Sequence, residues 1–490
     1  MIRPGPGRVV LAAVAAGVLA CGGAEAANGV NGLATGLVKT AGDGQTGAPL
    51  STLAPYTVVL RDAQGAPRSG VSVQWSVSTG GGNLSAPSML TDGTGTASAV
   101  YSLGPRLGLN SVTATASGVT GAVTFYSTAT GTFTVLGGGN NGPERYSSDL
   151  WLQGDYAYTG TWGGVPRSSN RGNALKIWHL NPAGAPSLVD SIVIAGVVNV
   201  SDVEVSADGL WLVFTTEVGA NAGLELYSLA NPAAPGFVAS FPVSSGLHTG
   251  SLATINGKLY AFGAKNPGGT NTPALMIFDL SAAISGGGPI TVAGQVAIPP
   301  AYGIHDTFVR DGLAFVCAWD TGIIIYDVGN GMRGGSPAVP AEVSRIAIGG
   351  GAAHNAWWFH NPLSNERRYL FVGQEGPGSV GSRSSGDIHV LDVSDLARPT
   401  EVATYHQVGA GTHNFWMDEN AEILYAAYYN GGVVALDVSG TLSGNLANRE
   451  IARILPGGAS NTYVWGVHLH RGSLYAIDML SGLWQLSLPQ

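Results

Sequence analysis

Three short motifs concentrate the ionisable chemistry of this 490-residue chain: His305-Asp306, His354-Asn355 and His413-Asn414. In each, an imidazole precedes a side chain with a hydrogen-bonding oxygen, and the pair stands at the start of a strand-like run. Imidazoles ligate transition metals, exchange protons near neutral pH, or orient a bound molecule. Intervals of roughly fifty residues match no local metal motif, so these residues act together only if a repeating fold gathers them.

The chain does repeat. Seven apolar strands recur: Leu175-Lys176-Ile177-Trp178-His179, Leu224-Glu225-Leu226-Tyr227-Ser228, Leu275-Met276-Ile277-Phe278-Asp279, Ile323-Ile324-Ile325-Tyr326-Asp327, Ile388-His389-Val390-Leu391-Asp392, Val433-Val434-Ala435-Leu436-Asp437 and Leu483-Trp484-Gln485-Leu486-Ser487. A hairpin precedes each, and another strand follows all but the last. Four strands per unit at this period predict the blades of a β-propeller, about seven, with six or eight as the margin. The final unit stops after its third strand, and Thr132-Phe133-Thr134-Val135-Leu136 can supply the fourth, closing the ring without an open edge. The fold class is all-β throughout: charged residues are 11%, with 74 Gly and 26 Pro. The net charge of −9 carries no basic cluster, which argues against nucleic acid and against anionic lipid headgroups as partners.

Residues 1–21 read as an export signal. Arg3 and Arg8 precede an apolar run from Val9 to Ala20, too short to span a bilayer. Val18-Leu19-Ala20-Cys21-Gly22-Gly23 resembles a bacterial lipobox, which implies that Cys21 is lipidated and that the rest lies outside the cytoplasm, tethered to the envelope. The alternative is an ordinary signal peptide cut near Ala24 to Ala27. Cys317, the other cysteine, sits in a buried strand pattern and reads as a small hydrophobe.

Residues 22–49 read as a flexible tether and 50–129 as a β-sandwich. Val58-Val59-Leu60-Arg61-Asp62-Ala63-Gln64-Gly65-Ala66-Pro67, Gly70-Val71-Ser72-Val73 and Thr91-Asp92-Gly93 resemble the immunoglobulin-like repeats of the intimin and invasin family, roughly from Gly36 to Ala129. That resemblance implies a spacer. Residues 130–490 resemble the LVIVD repeats of bacterial surface propellers in strands such as Leu175 to His179. Gly303-Ile304-His305-Asp306, Ala353-His354-Asn355-Ala356-Trp357, Thr412-His413-Asn414-Phe415-Trp416 and Trp465-Gly466-Val467 also resemble choice-of-anchor B proteins. Neither resemblance implies an activity.

The innermost strand of each blade lines the channel, so His305, Asp306, His354 and His413 are expected at one mouth of it. Hairpin pairing sets Trp319 and Asp320 beside His305, Glu375 beside His354, Tyr429 beside His413, and Asp478 near Trp465. His248 lies close to the same position, with its register open by about three residues. Three readings compete. In the first, the histidines simply bond neighbouring loops. In the second, they and the carboxylates orient an unknown small molecule, glycan or protein between Trp319, Trp357, Trp416, Tyr429 and Trp465. Or His305, His354 and His413 hold a transition metal such as Zn, Cu, Ni or Fe. A non-catalytic binding or scaffold protein is the first expectation, and the alternative is a secreted enzyme at the same mouth, with His305, His354 and His413 as metal ligands or as acid–base groups. His179, His389 and His406 are expected on outer strands facing solvent.

Overall fold

The computed structural model describes residues 34–139, 145–163, 172–182, 184–266, 272–298 and 303–490. Cys21 and the export signal lie outside these residues.

The N-terminal part is a sandwich. A three-stranded sheet of Ala34–Ala41, Tyr56–Asp62 and Thr96–Ala99 faces a five-stranded sheet built around Ser72–Thr79, Gly108–Ala116 and Val123–Ala129. Alternation decides which residues meet: Tyr56, Val58 and Leu60 from one sheet pack on Val73, Trp75, Val112 and Phe125 from the other. The expected tether at residues 22–49 is corrected for its second half. Ala34–Ala41 pairs antiparallel with Tyr56–Asp62, and Gln45–Gly47 pairs parallel with Val123–Ala129. The Gly, Ala and Thr content there concealed a strand whose partner lies about twenty residues further on.

From Val135 onward, sheets of antiparallel neighbours follow one another, the strands of the first six in chain order; the fifth also pairs Gly444–Asn445 parallel with its fourth strand, Thr400–Tyr405. The first is Tyr146–Gln153, Tyr156–Trp162, Ala174–His179 and Ser187–Val193; the second runs from Val197–Val205, the third from Gly250–Ile255 and the fourth from Thr307–Arg310. The fifth begins with Ala353–Trp358, the sixth with Phe415–Asp418 and the seventh with Val464–His470. Third strands such as Ile323–Asp327 are buried along their whole length, because both faces of a sheet pack on its neighbours. This is the stacking of a β-propeller.

The seventh sheet takes its fourth strand from the start of the series. Val135–Gly138 pairs antiparallel with Gly482–Ser487, and the amide of Gly139 donates to the carbonyl of Leu483 at 3.0 Å. The sandwich rests on the sixth sheet: the amide of Leu109 donates to Asp437 at 2.7 Å, and that of Gly131 to the carbonyl of Ile451 at 2.8 Å.

Closure has a local requirement. Gly138 has φ +130°, and a Cβ there would lie 2.2 Å from the Leu483 carbonyl oxygen. Gly138→Val should therefore lower stability by roughly 2–4 kcal/mol, combining backbone strain with a clash. Gly65 also has positive φ, at +85°, but no heavy atom lies within 4 Å of its added Cβ, so Gly65→Ala should cost much less. Urea-unfolding midpoints of the two variants test this; equal losses would contradict it.

Candidate functional site

One backbone irregularity aims the side chains. In the innermost strands, two consecutive residues face one on the neighbouring strand, which is a β-bulge. The amide of His305 donates to the carbonyl of Cys317, and the amide of Cys317 donates back to the carbonyl of Asp306, both at 2.8 Å. His413 and Asn414 face Ala427 in the same way, and His248 and Thr249 face Ala264. The ladder skips His354, Ser201 and Trp465 at matching places, and both Ser148 and Asp149. The bulge therefore defines a ring: Ser148, Ser201, His248, His305, His354, His413 and Trp465, one residue from each sheet. His248 belongs to it with no register offset.

The ring is tight. Ring centroids are 4.2 Å apart for His248 and His305, 3.8 Å for His305 and His354, 4.1 Å for His354 and His413, and 4.3 Å for His413 and Trp465. A second ring comes from the residue two past the one facing each bulge. It includes Trp162, Glu217, Trp319, Glu375 and Tyr429. Trp319 stacks on His305 at 5.3 Å, and the Tyr429 ring meets His413 at 4.9 Å. Trp319 and Tyr429 have φ of 51° and 42°, a left-handed backbone that bulky residues rarely adopt.

Glu375 stands at the centre. Its carboxylate lies 3.5 Å from His305 Nε2, and 3.9 Å from both His354 Nε2 and His413 Nε2. The hydroxyl of Tyr429 donates to it. His305, His354 and Glu375 offer ligand atoms within 4.8 Å of one another, the one such group among the described residues.

The outward-facing nitrogens are fixed by neighbours. His413 Nδ1 donates to the carbonyl of Trp465 at 2.6 Å, His354 Nδ1 to Asn355 Oδ1 at 3.3 Å, and His248 Nδ1 to Glu217 at 2.9 Å. His248 Nε2 lies 2.9 Å from His305 Nε2. Burial would lower the His248 pKa, but Glu217, Glu375 and Asp202 outweigh it and raise it to about 9. His248 is thus the imidazolium and donates through Nε2 to a neutral His305. Burial and neighbouring imidazoles hold His305 and His413 well below the usual range, and burial brings His354 down to about 3. His354 Nε2 and His413 Nε2 are buried with no hydrogen-bond partner.

The expected site residues divide accordingly. His305, His354, His413, Trp319, Glu375 and Tyr429 come together. Four expectations need correction. Asp320 is exposed and accepts from the amide of Ala352 at 3.1 Å, and Asp478 accepts from the amides of Tyr463, Leu480 and Ser481. Both stand one residue from the ring position, where alternation turns the side chain away; Met479 is the seventh-sheet counterpart of Glu375. Asp306, Trp357 and Trp416 sit deeper along the channel. The histidines lie beneath the rim, His354 at 1% and His413 at 2% exposure, so the site is a buried cluster and not an open mouth. Finally, His389 is buried against Glu401 at 3.2 Å and does not face solvent. Glu217 and Trp162 went unnoticed in sequence, although Glu217 shares its hairpin offset with Glu375.

One step along each strand lies a layer of Asp149, Asp202, Thr249, Asp306, Asn355 and Asn414. Asp149 accepts from Asn414 at 2.8 Å and is hydrogen-bonded to Asp202. Burial pushes Asp149 up to about 6. Its folded pKa exceeds the unfolded 3.8, so its contribution is complete below about pH 4 and falls as pH rises through 6. Asp149→Asn, which does not titrate, should gain on the parent by up to about 3 kcal/mol across that interval. Unfolding midpoints at several pH values check this; a pH-independent difference would contradict it.

Comparison with known proteins agrees on the fold. A family model described as the LVIVD repeat matches residues 144–165 and 383–407. The β-propeller domain of Cps50 (Swd1) from Myceliophteria thermophila is 13% identical with a TM-score of 0.50, covering 73% of this chain and 99% of that one. The C-terminal WD40 domain of Sif2 is 11% identical with a TM-score of 0.46, over 78% and 90%. At such identity the Cps50 likeness carries the fold alone. No curated protein matches the chain.

Proposed function

We propose that this chain is an exported, envelope-anchored binding protein in which a seven-bladed propeller of the LVIVD and choice-of-anchor B type, carried on an immunoglobulin-like spacer, holds one transition-metal ion at its histidine ring. Lipidation at Cys21 would make the only attachment to the membrane. The supporting observation is convergence: His305, His354 and Glu375 offer ligand atoms within 4.8 Å of one another, His248 and His413 stand beside them, and Nε2 of His354 and of His413 is bare and unpartnered.

Donor spacing agrees with this reading. Glu375 stands 3.5 Å from His305 Nε2 and 3.9 Å from Nε2 of His354 and of His413, and Nε2 of His248 and His305 are 2.9 Å apart, close to the ~3 Å expected between adjacent ligands of an ion with bonds of about 2.0–2.1 Å. Imidazole-rich sets select Zn, Cu, Fe or Ni over Ca and Mg. Three histidines are also oriented through Nδ1 by a carbonyl, an amide oxygen and a carboxylate, the outer support that metal-binding histidines carry. Without a metal the arrangement is costly, because an imidazolium and a carboxylate are buried among neutral rings. An ion displacing the His248 Nε2 proton would relieve that cost.

Metal analysis of the purified full-length chain, after loading with Zn, Fe, Cu or Ni salts and dialysis, should find about one ion per chain. His354→Ala and His413→Ala should lose it, whereas His389→Ala, outside the ring, should keep it. A parent chain that stays metal-free, with no thermal shift from any of the four ions, would overturn the proposal.

A further inference from the structure

The same strands run on past the histidine ring, and three residues further they carry another set of side chains to the channel: Trp151, Glu204, Ser251, Phe308, Trp357, Trp416 and His468, one from each sheet in turn. At about 3.3 Å per residue this set lies roughly 10 Å from the histidines. It encloses a cavity of about 180 Å³, which widens outward into a shallower depression of about 640 Å³ sharing the same three tryptophans. Cavities of about 150 Å³ accept benzene-sized molecules.

The chemistry of this chamber is one-sided. Asp149, Asp202, Glu204 and Asp306 line it, and no Lys or Arg does so among the described residues. Neighbouring groups hold the carboxylates in place: Asp202 accepts from the amide of Gly250 at 2.7 Å, Glu204 from that of Leu252 at 2.9 Å and Asp306 from that of Thr307 at 2.7 Å. The walls are aromatic rings in mutual contact, with centroids 5.4 Å apart and planes tilted by 59° for Trp357 and Trp416, and 5.8 Å apart and edge to face for Trp151 and Trp416.

An independent signal comes from His468. It is buried at 5% exposure, lies 3.6 Å from Trp416, and its Nε2 has no partner. Its Nδ1 donates to the carbonyl of Leu469 at 3.2 Å, which leaves Nε2 a bare acceptor on a chamber-lining side chain. Carboxylate oxygens, a bare imidazole nitrogen and tryptophan faces all seek a positively charged donor. The carboxylates do not converge as a divalent ion requires: the single group of ligand atoms within 4.8 Å among the described residues is the histidine one.

We propose that this chamber binds a short-chain primary alkylammonium group, its N–H donors on Asp202, Glu204 and His468 and its carbons against Trp151, Trp357 and Trp416. The proposal is independent of the metal: it uses other side chains at another level of the channel.

Tryptophan fluorescence and calorimetric titration of the full-length chain with propylammonium test it directly. Saturable one-to-one binding is expected, with 1-propanol weaker by roughly tenfold or more, since desolvated cation–π contact is worth about 1–2 kcal/mol. Tetramethylammonium, which lacks N–H donors, should bind more weakly than propylammonium. Trp416→Leu and the near-isosteric Glu204→Gln should each weaken binding several-fold, while His389→Ala leaves it unchanged. Equal binding of propylammonium and 1-propanol, no saturation at millimolar propylammonium, or displacement by Ca²⁺ alone would overturn the proposal.

Discussion

The two-against-one bulge in each innermost strand is the constraint on which everything else rests. A regular strand alternates its side chains between faces, and in a propeller both faces are covered by neighbouring sheets. An inserted residue breaks that alternation and turns a side chain toward the axis. The bulge occurs at the same register from sheet to sheet, so residues separated by some fifty positions in sequence end on one level. Its position also fixes the next levels: the Asp and Asn layer one residue on, and the aromatic layer three residues on.

The ring is not uniform. Four adjacent sheets contribute histidine, while their neighbours contribute Ser148, Ser201 and Trp465. The serines bond to the next sheet, Ser148 Oγ donating to the carbonyl of Val200 at 2.6 Å, and so act as structural ties. His354 and His413 instead turn bare Nε2 atoms toward Glu375. Glu217 and Glu375 stand on the same side and supply the negative charge that a cluster of imidazoles lacks. Acidic residues elsewhere do different work: Asp327 accepts from the amides of Gly329, Asn330, Gly331, Arg333 and Gly335 and holds a loop, its pKa lowered to about 2 by those donors despite burial.

Much of this was legible beforehand. Strand runs at a steady period gave the repeating sheets, and the incomplete last unit pointed to the N-terminal strand that completes it. His305, His354 and His413 stood out because each begins such a run. Two of the errors share a cause: a one-residue difference in a strand reverses a side chain. Asp320 and Asp478 lie one residue from the ring, and Trp357 and Trp416 lie three residues below it. A bulge has no sequence signature of its own, so neither the place of His248 nor the division of the channel into levels was readable. Ala34–Ala41 went unrecognised because its apolar content is low and its stability comes from pairing with Tyr56–Asp62.

The most direct measurement is anomalous diffraction from crystals of the metal-loaded chain, recorded on both sides of the metal's absorption edge. The account predicts one strong peak within bonding distance of Nε2 of His305 and His354 and of the Glu375 carboxylate, on the side facing His413. A peak elsewhere, or imidazoles that point away from one another in that map, would contradict it.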